Sequence, residues 1–101
     1  MEDAAMEKKT TDIDAVLNER GSRYGKFASH ANLTMELKTA IHVHWDEQPD
    51  KAVPADVIEA LHMICHKIGR IVNGDHEYAD SWVDIAGYAQ LVADRIEGNV
   101  R

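Results

Sequence analysis

Cysteine is nearly missing from this chain. Only Cys65 occurs among 101 residues, which excludes an intramolecular disulfide and a thiolate zinc cluster. Proline is scarce, with two residues, and glycine occurs six times, so long stretches run without a helix breaker. No apolar run approaches the roughly 20 residues of a membrane span. The charged segment Met1–Thr10 has no apolar core of a secretory signal, and the expected compartment is the cytoplasm. A basic excess is lacking too: 18 acidic residues against 11 basic ones give a net charge of −7. That balance argues against a nucleic-acid groove, which needs a cationic footprint. Acidic excess suits either a divalent cation gathered by carboxylates or plain solubility.

A hydrophobic fraction of 45% supports a folded protein, and the length leaves room for one domain. Residues 1–10 read as a flexible tail and 11–101 as a single helical domain. A core of this size is marginal alone, so a homodimer or higher homo-oligomer is expected.

Four helices are predicted. Thr11 or Asp12 caps the first, which carries Ile13, Val16 and Leu17 and ends near Gly21. Ser22 to Phe27 then forms a structured turn around Gly25. Ser29 caps the second helix, which runs to about Trp45 with Leu33, Leu37, Ala40 and Ile41 on one stripe. The third spans about 55–72 behind Pro54 and stops at Asn73-Gly74. The fourth covers roughly 79–97, with Trp82, Ile85, Ala86, Ala89, Val92, Ala93 and Ile96 as its core face. Trp45 and Trp82 read as core anchors, His30 and His44 as core histidines, and Cys65 as an inert small hydrophobe.

The polar sides of the last two helices are patterned. Glu59, His62, His66, Arg70 and Asn73 recur at helical spacing, with Lys67 at the margin, and share one strip of the third helix. His62 and His66 are a turn apart, a spacing that can chelate zinc. Asp80, Asp84, Gly87, Leu91 and Arg95 form the strip of the fourth helix opposite its core face. Two carboxylates a turn apart can share a cation. Gly87 costs the helix roughly 1 kcal/mol against alanine, which suggests a close approach there. The site is therefore expected between the third and fourth helices; an inert ion-pair network or an ordinary solvated face accounts for the same residues. Arg20, Arg23 and Lys26 gather around Tyr24-Gly25. They could contact phosphate while Tyr24 or Phe27 stacks on a base, or simply complement a helix C-terminus.

Lys67-x-x-Arg70 followed by Asp80-Ser-Trp-Val-Asp84-Ile-Ala-Gly-Tyr88-Ala resembles the second half of the all-α nucleoside triphosphate pyrophosphatases, the MazG-like enzymes and dimeric dUTPases. Arg20-Gly-Ser-Arg-Tyr24-Gly25-Lys-Phe27 is similar to a turn in their small, often phage-encoded relatives, and the chain resembles an uncharacterised family of small phage and prophage proteins. The resemblance covers about residues 17–97. It implies a four-helix, MazG-like bundle completed by oligomerisation, in the host cytoplasm if phage-encoded. It also implies Mg²⁺ or Mn²⁺, with Zn²⁺ less suited, held by E-x-x-E and E-x-x-D pairs. By position, Glu59 matches the first acid and Asp84 the last; His62 replaces the second, and Ser81 the third, with Asp80 adjacent. Glu59, Asp80 and Asp84 would then be catalytic, Glu59, His62, Asp80 and Asp84 would hold metal, and Lys67, Arg70, Arg23 and Tyr24 would bind the nucleotide. The incomplete acid set leaves two functions open: a metal-dependent pyrophosphatase, or a non-catalytic protein that sequesters a nucleotide or inhibits a host protein.

Overall fold

A computed structural model describes residues 2–99 and 101 of the chain, with the side chains of residues 1–11 outside the description. The flexible tail expected over 1–10 falls on those residues. Four α-helices make up the fold: α1 (Glu2–Tyr24), α2 (Phe27–Asp46), α3 (Ala55–Asn73) and α4 (Ala79–Ile96). No strand occurs among the described residues, so the all-α, bundle-like class holds.

The later helices start and stop where their signals predict. Pro54 caps α3 with its carbonyl, which accepts from the Val57 and Ile58 amides at 3.1 and 3.2 Å. Asn73 closes the helix by donating its side-chain amide to the Gly69 carbonyl at 3.0 Å. Gly98, with φ of +87°, follows the end of α4.

The earlier boundaries differ from expectation. Asp12 lies inside α1 and caps nothing, and α1 continues through Gly21 to Tyr24. Ser22, expected in the turn, donates its hydroxyl to the Glu19 carbonyl at 2.6 Å and stays helical. Ser29 sits in the first turn of α2 instead of capping it; the cap is Lys26, with no side-chain hydrogen bond. The connection from α1 to α2 thus shrinks to Gly25 and Lys26. Gly25 makes it, because its φ of +77° is a conformation that L side chains rarely adopt.

α3 is the hub. It packs against α4, α2 and α1; α1 also touches α2, whereas α4 packs on α3 alone. The buried face of α4 is accordingly not the predicted one. Ser81 and Asp94 are buried, while Trp82 (54% exposed) and Ile96 (67%) open to solvent, as do Ala86 and Ala89. Ile85, Val92 and Ala93 are half-buried. Trp82 is therefore not a core anchor in the single chain, though its indole N–H donates to the His76 carbonyl at 2.8 Å. His44 is exposed as well, so of the two expected core histidines only His30 is buried. Ala60 and Cys65 are the buried hydrophobic side chains among the described residues, and neither is fully enclosed, a thin core for a domain of this length. No helix is long and apolar enough to cross a membrane among the described residues.

Candidate functional site

The corner where the α1–α2 turn meets the end of α3 is held by two glycines in reciprocal contact. A Cβ on Gly25 would overlap the Asn73 carbonyl, and one on Gly74 would overlap the Arg23 carbonyl and the Tyr24 Cα. Backbone thus touches backbone on both sides, and this contact fixes Arg23 and Tyr24 relative to Arg70, one turn back along α3.

Alternating cations and rings are built on that corner. The Arg70 guanidinium lies over the Tyr24 ring at 4.1 Å, and Tyr24 meets Tyr78 edge-on with centroids 6.1 Å apart. Arg23 covers Tyr78 at 4.4 Å, and the Tyr78 hydroxyl donates to Asp80 at 2.8 Å. That hydrogen bond to a carboxylate raises the Tyr78 pKa, keeping the phenol protonated. Three expected nucleotide contacts, Arg23, Tyr24 and Arg70, are therefore brought together, with Asp80 at the end of the chain of contacts. Tyr78 was not among the expected residues; it lies in the α3–α4 turn, where helical spacing carries no information.

Two hollows flank the Arg70–Tyr24 stack. The larger, about 670 Å³, is lined by Leu17, Arg20, Tyr24, Lys26, Phe27, His30, His66 and Arg70 together with Gly21 and Gly25. Three cations and two aromatic rings line it, and no carboxylate does. The smaller, about 300 Å³, adds Val16, Glu19, Arg23 and Tyr78. Phe27 is 79% exposed, so its ring is available at the rim.

Beneath the cleft, His30 Nε2 and His66 Nδ1 form a hydrogen bond at 3.2 Å, with rings edge-to-face at 4.5 Å. Burial lowers the His66 pKa to about 4, reinforced by Arg70, His30, Lys67 and Lys38; burial lowers that of His30 as well. Both rings are neutral at physiological pH, so they offer hydrogen bonds without adding charge.

The expected metal set does not come together. Asp84 pairs with Lys67 at 2.9 Å across α3 and α4. His62 turns toward α2 and meets His42 at 2.7 Å, while Glu59 is exposed. His62 and His66 likewise do not chelate together, since each bonds to a histidine of α2. No group of three or more His, Cys, Asp or Glu side chains placed to hold a metal occurs among the described residues. With its one partly exposed acid already neutralised by lysine, this donor set does not fit a Mg²⁺ centre, which demands several oxygens. The physical reason is the direction of the α3 strip: His62, His66 and Arg70 face α2 and α1, and only Lys67 reaches α4. The main cleft consequently lies between α1, α2 and α3, not between α3 and α4. Arg95, expected on the same strip as Asp80 and Asp84, forms a bidentate pair with Asp56 of α3 at 2.6 and 2.9 Å.

A helical protein with a cationic, aromatic cleft at a glycine-locked corner is the class that fold and site define. The chain belongs to the family described as a domain of unknown function, DUF6378, which matches residues 10–96. Comparison with curated proteins and with solved structures returned no match.

Proposed function

We propose that the protein binds a nucleotide in the cleft between the α1–α2 turn and α3. One observation carries the reading: in a chain of net charge −7, a hollow of about 670 Å³ is lined by Arg20, Lys26 and Arg70, and no acid contributes to that lining. Local cationic lining in an acidic protein marks a place for an anion. Tyr24 and Phe27 supply flat apolar surface for a base, and Arg70, stacked on Tyr24, presents its remaining N–H groups to phosphate oxygens. Binding without turnover is the primary reading, because the acids needed for metal-assisted hydrolysis point to different partners. The motif resemblance supports metal-dependent release of pyrophosphate as the second.

A second copy of the chain belongs to this reading. Val83 (65% exposed) and Leu91 stay bare on the outer side of α4, and Ile13, Val16 and Leu17 do so on α1. Apolar surface of this extent marks a protein–protein contact, and light scattering should give at least twice the 11.3 kDa chain mass. The cytoplasm, a phage-encoded setting and a host protein as target remain parts of the proposal that rest on composition and resemblance.

Calorimetric titration of the whole chain with deoxynucleoside triphosphates in the presence of a chelator tests the binding. Saturable binding is expected, weakened roughly 10- to 100-fold by Arg70→Ala, the loss of one charged hydrogen-bonding group. Absence of heat with every nucleotide at millimolar concentration would overturn the proposal. Pyrophosphate release after adding Mg²⁺, Mn²⁺ or Zn²⁺ would promote the second reading over the first.

A further inference from the structure

Under the cleft, Gly69 of α3 leaves a gap into which the His30 ring of α2 settles. A Cβ at Gly69 would lie 2.7 Å from His30 Nδ1 and 2.6 Å from Thr34 Oγ1. Both of those atoms are enclosed and neither makes a regular hydrogen bond, so Thr34 gives no proton to the imidazole. Burial lowers the His30 pKa, and the Gly69 backbone alone works in the opposite direction. A backbone favours a ring proton through its carbonyl. The Gly69 carbonyl accepts the Asn73 side-chain amide at 3.0 Å, and its second lone pair remains for His30 Nδ1–H. One placement of protons follows, because a neutral imidazole carries a single N–H. With that of His30 at Nδ1, its Nε2 is a bare acceptor, and the 3.2 Å contact requires His66 Nδ1 to donate. The one proton of neutral His66 is thereby used, and its Nε2 is left as a lone pair. That nitrogen has no partner among the described residues and is not enclosed, and His66 lines the cleft.

Resting on the nucleotide reading above, we infer that His66 Nε2 selects the ligand by accepting a hydrogen bond from an N–H group of its base. The rest of the lining makes this lone pair distinctive. Arg20, Lys26 and Arg70 only donate, and no carboxylate contributes. Beside the Tyr24 hydroxyl, His66 Nε2 is the acceptor that the lining side chains offer. A phosphate chain brings acceptor oxygens and goes to the cations. The base brings N–H donors along its edge, and the surface that suits its flat face, Tyr24 and Phe27, belongs to the same hollow as His66. His66 is therefore a specificity-determining residue. Gly69 and His30 are positioning residues, which act by fixing the tautomer of His66.

Two measurements on the full chain test this. Nitrogen NMR of the unliganded protein near neutral pH should show His66 as the Nδ1–H tautomer, with Nε2 carrying the lone pair. The Nε2–H tautomer would overturn the inference before any nucleotide is added, and without any variant. Calorimetry in chelator then compares the tightest-binding of the four deoxynucleoside triphosphates with its counterpart in which each base N–H is methylated. Affinity should fall roughly 10- to 100-fold, the loss of one hydrogen bond to a desolvated acceptor. His66→Phe, checked by melting for an intact fold, should bind the two ligands alike, because the acceptor is gone. A preference that persists in His66→Phe would be steric and would overturn the assignment. A 3′-deoxy analogue should bind as its parent does; a loss that follows the sugar hydroxyl instead of the base would also overturn it. Absence of heat with all four nucleotides defeats the nucleotide reading and this one together, whereas the other adverse outcomes defeat this one alone.

Discussion

The corner formed by Gly25 and Gly74 and the outer face of α4 obey opposite rules. At the corner, backbone packs on backbone so closely that neither glycine tolerates a Cβ, and Tyr24, Arg23 and Arg70 are oriented as a consequence. On α4, Gly87 has nothing within 4 Å of an added Cβ, and Trp82, Val83 and Leu91 around it are at least half exposed. One region is determined within the chain; the other is apolar without being covered. Glycine thus serves two purposes here, close approach already made in the first case and close approach still available in the second. The cleft proposed to bind a nucleotide grows from the determined region, whereas the proposed assembly would use the uncovered one.

The largest effect is expected from Gly25→Ala. Alanine at φ of +77° is strained, and its methyl meets the rigid Asn73 carbonyl, so the turn must shift away from α3. Backbone strain and overpacking together should cost roughly 2–5 kcal/mol, a large share of a small domain's stability. Urea unfolding measures the loss, and nucleotide binding should fall with it because Tyr24 leaves Arg70. A variant as stable as the parent would mean that the corner is not locked.

The parts of this corner are legible in the sequence. Arg20, Arg23 and Lys26 crowd Tyr24-Gly25 in a grouping that suits either a phosphate contact or a helix C-terminus, and Asn73-Gly74 marks the end of the third helix, but their meeting is not written in either segment. Helical spacing assigns a residue to a strip of its own helix but does not say which neighbour the strip faces. The α3 strip is therefore legible as a strip while its partner is not: His62 and His66 meet His42 and His30, not the aspartates of α4. The α4 core face failed for a related reason. Apolar spacing marks surface that will be covered, by the same chain or by another, and Trp82 and Ile96 lie on surface the single chain leaves open. Gly21 misled the α1 boundary because nothing stops a helix at a glycine that keeps negative φ.

Asp84→Asn should rank second. Lys67 is 8% exposed and Asp84, at 46% side-chain exposure, is its salt-bridge partner, so the amide strands a buried ammonium. Breaking a buried pair costs roughly 3–5 kcal/mol, and the open side of Asp84 reduces this to about 2 kcal/mol. Asp56→Ala, which breaks the better-formed but exposed pair with Arg95, should lower the melting temperature by less. If Asp56 mattered more, hydrogen-bond geometry rather than burial would rank these contacts. Nucleotide binding should survive Asp84→Asn, because the cleft lies on the other side of α3.

Acid should act more gradually, at the floor of the cleft. The folded pKa of His66 is about 4 against 6.5 for the free ring, so the unfolded chain takes up its proton first as pH falls. Stability from this residue is complete above about pH 6.5, declines between there and about pH 4, and changes little further once the folded ring also protonates. His30, also lowered, adds in the same direction. Melting temperatures across this window should fall in the parent and fall less in His66→Gln. A bound polyphosphate beside Arg70 should blunt the decline, because its charge favours the protonated ring. Equal slopes in parent and variant would assign the acid sensitivity to carboxylates elsewhere.

Gly87→Ala carries the smallest energy and decides the most about the open face. In an isolated chain the substitution has only the helix to act on: no atom lies within 4 Å of the new methyl, and alanine is better than glycine in a helix interior by about 1 kcal/mol. Stability should then rise, independently of protein concentration. If a second copy packs its helix across Val83, Gly87 and Leu91, the methyl enters that contact and separates the two backbones. Stability should then fall, most at concentrations where the parent is associated, and light scattering should show a weaker assembly. The sign of the shift, read at two protein concentrations, tells a solvated face from a covered one. The proposed assembly requires the destabilising sign; a concentration-independent gain would leave α4 facing water and return its exposed apolar residues to the single chain.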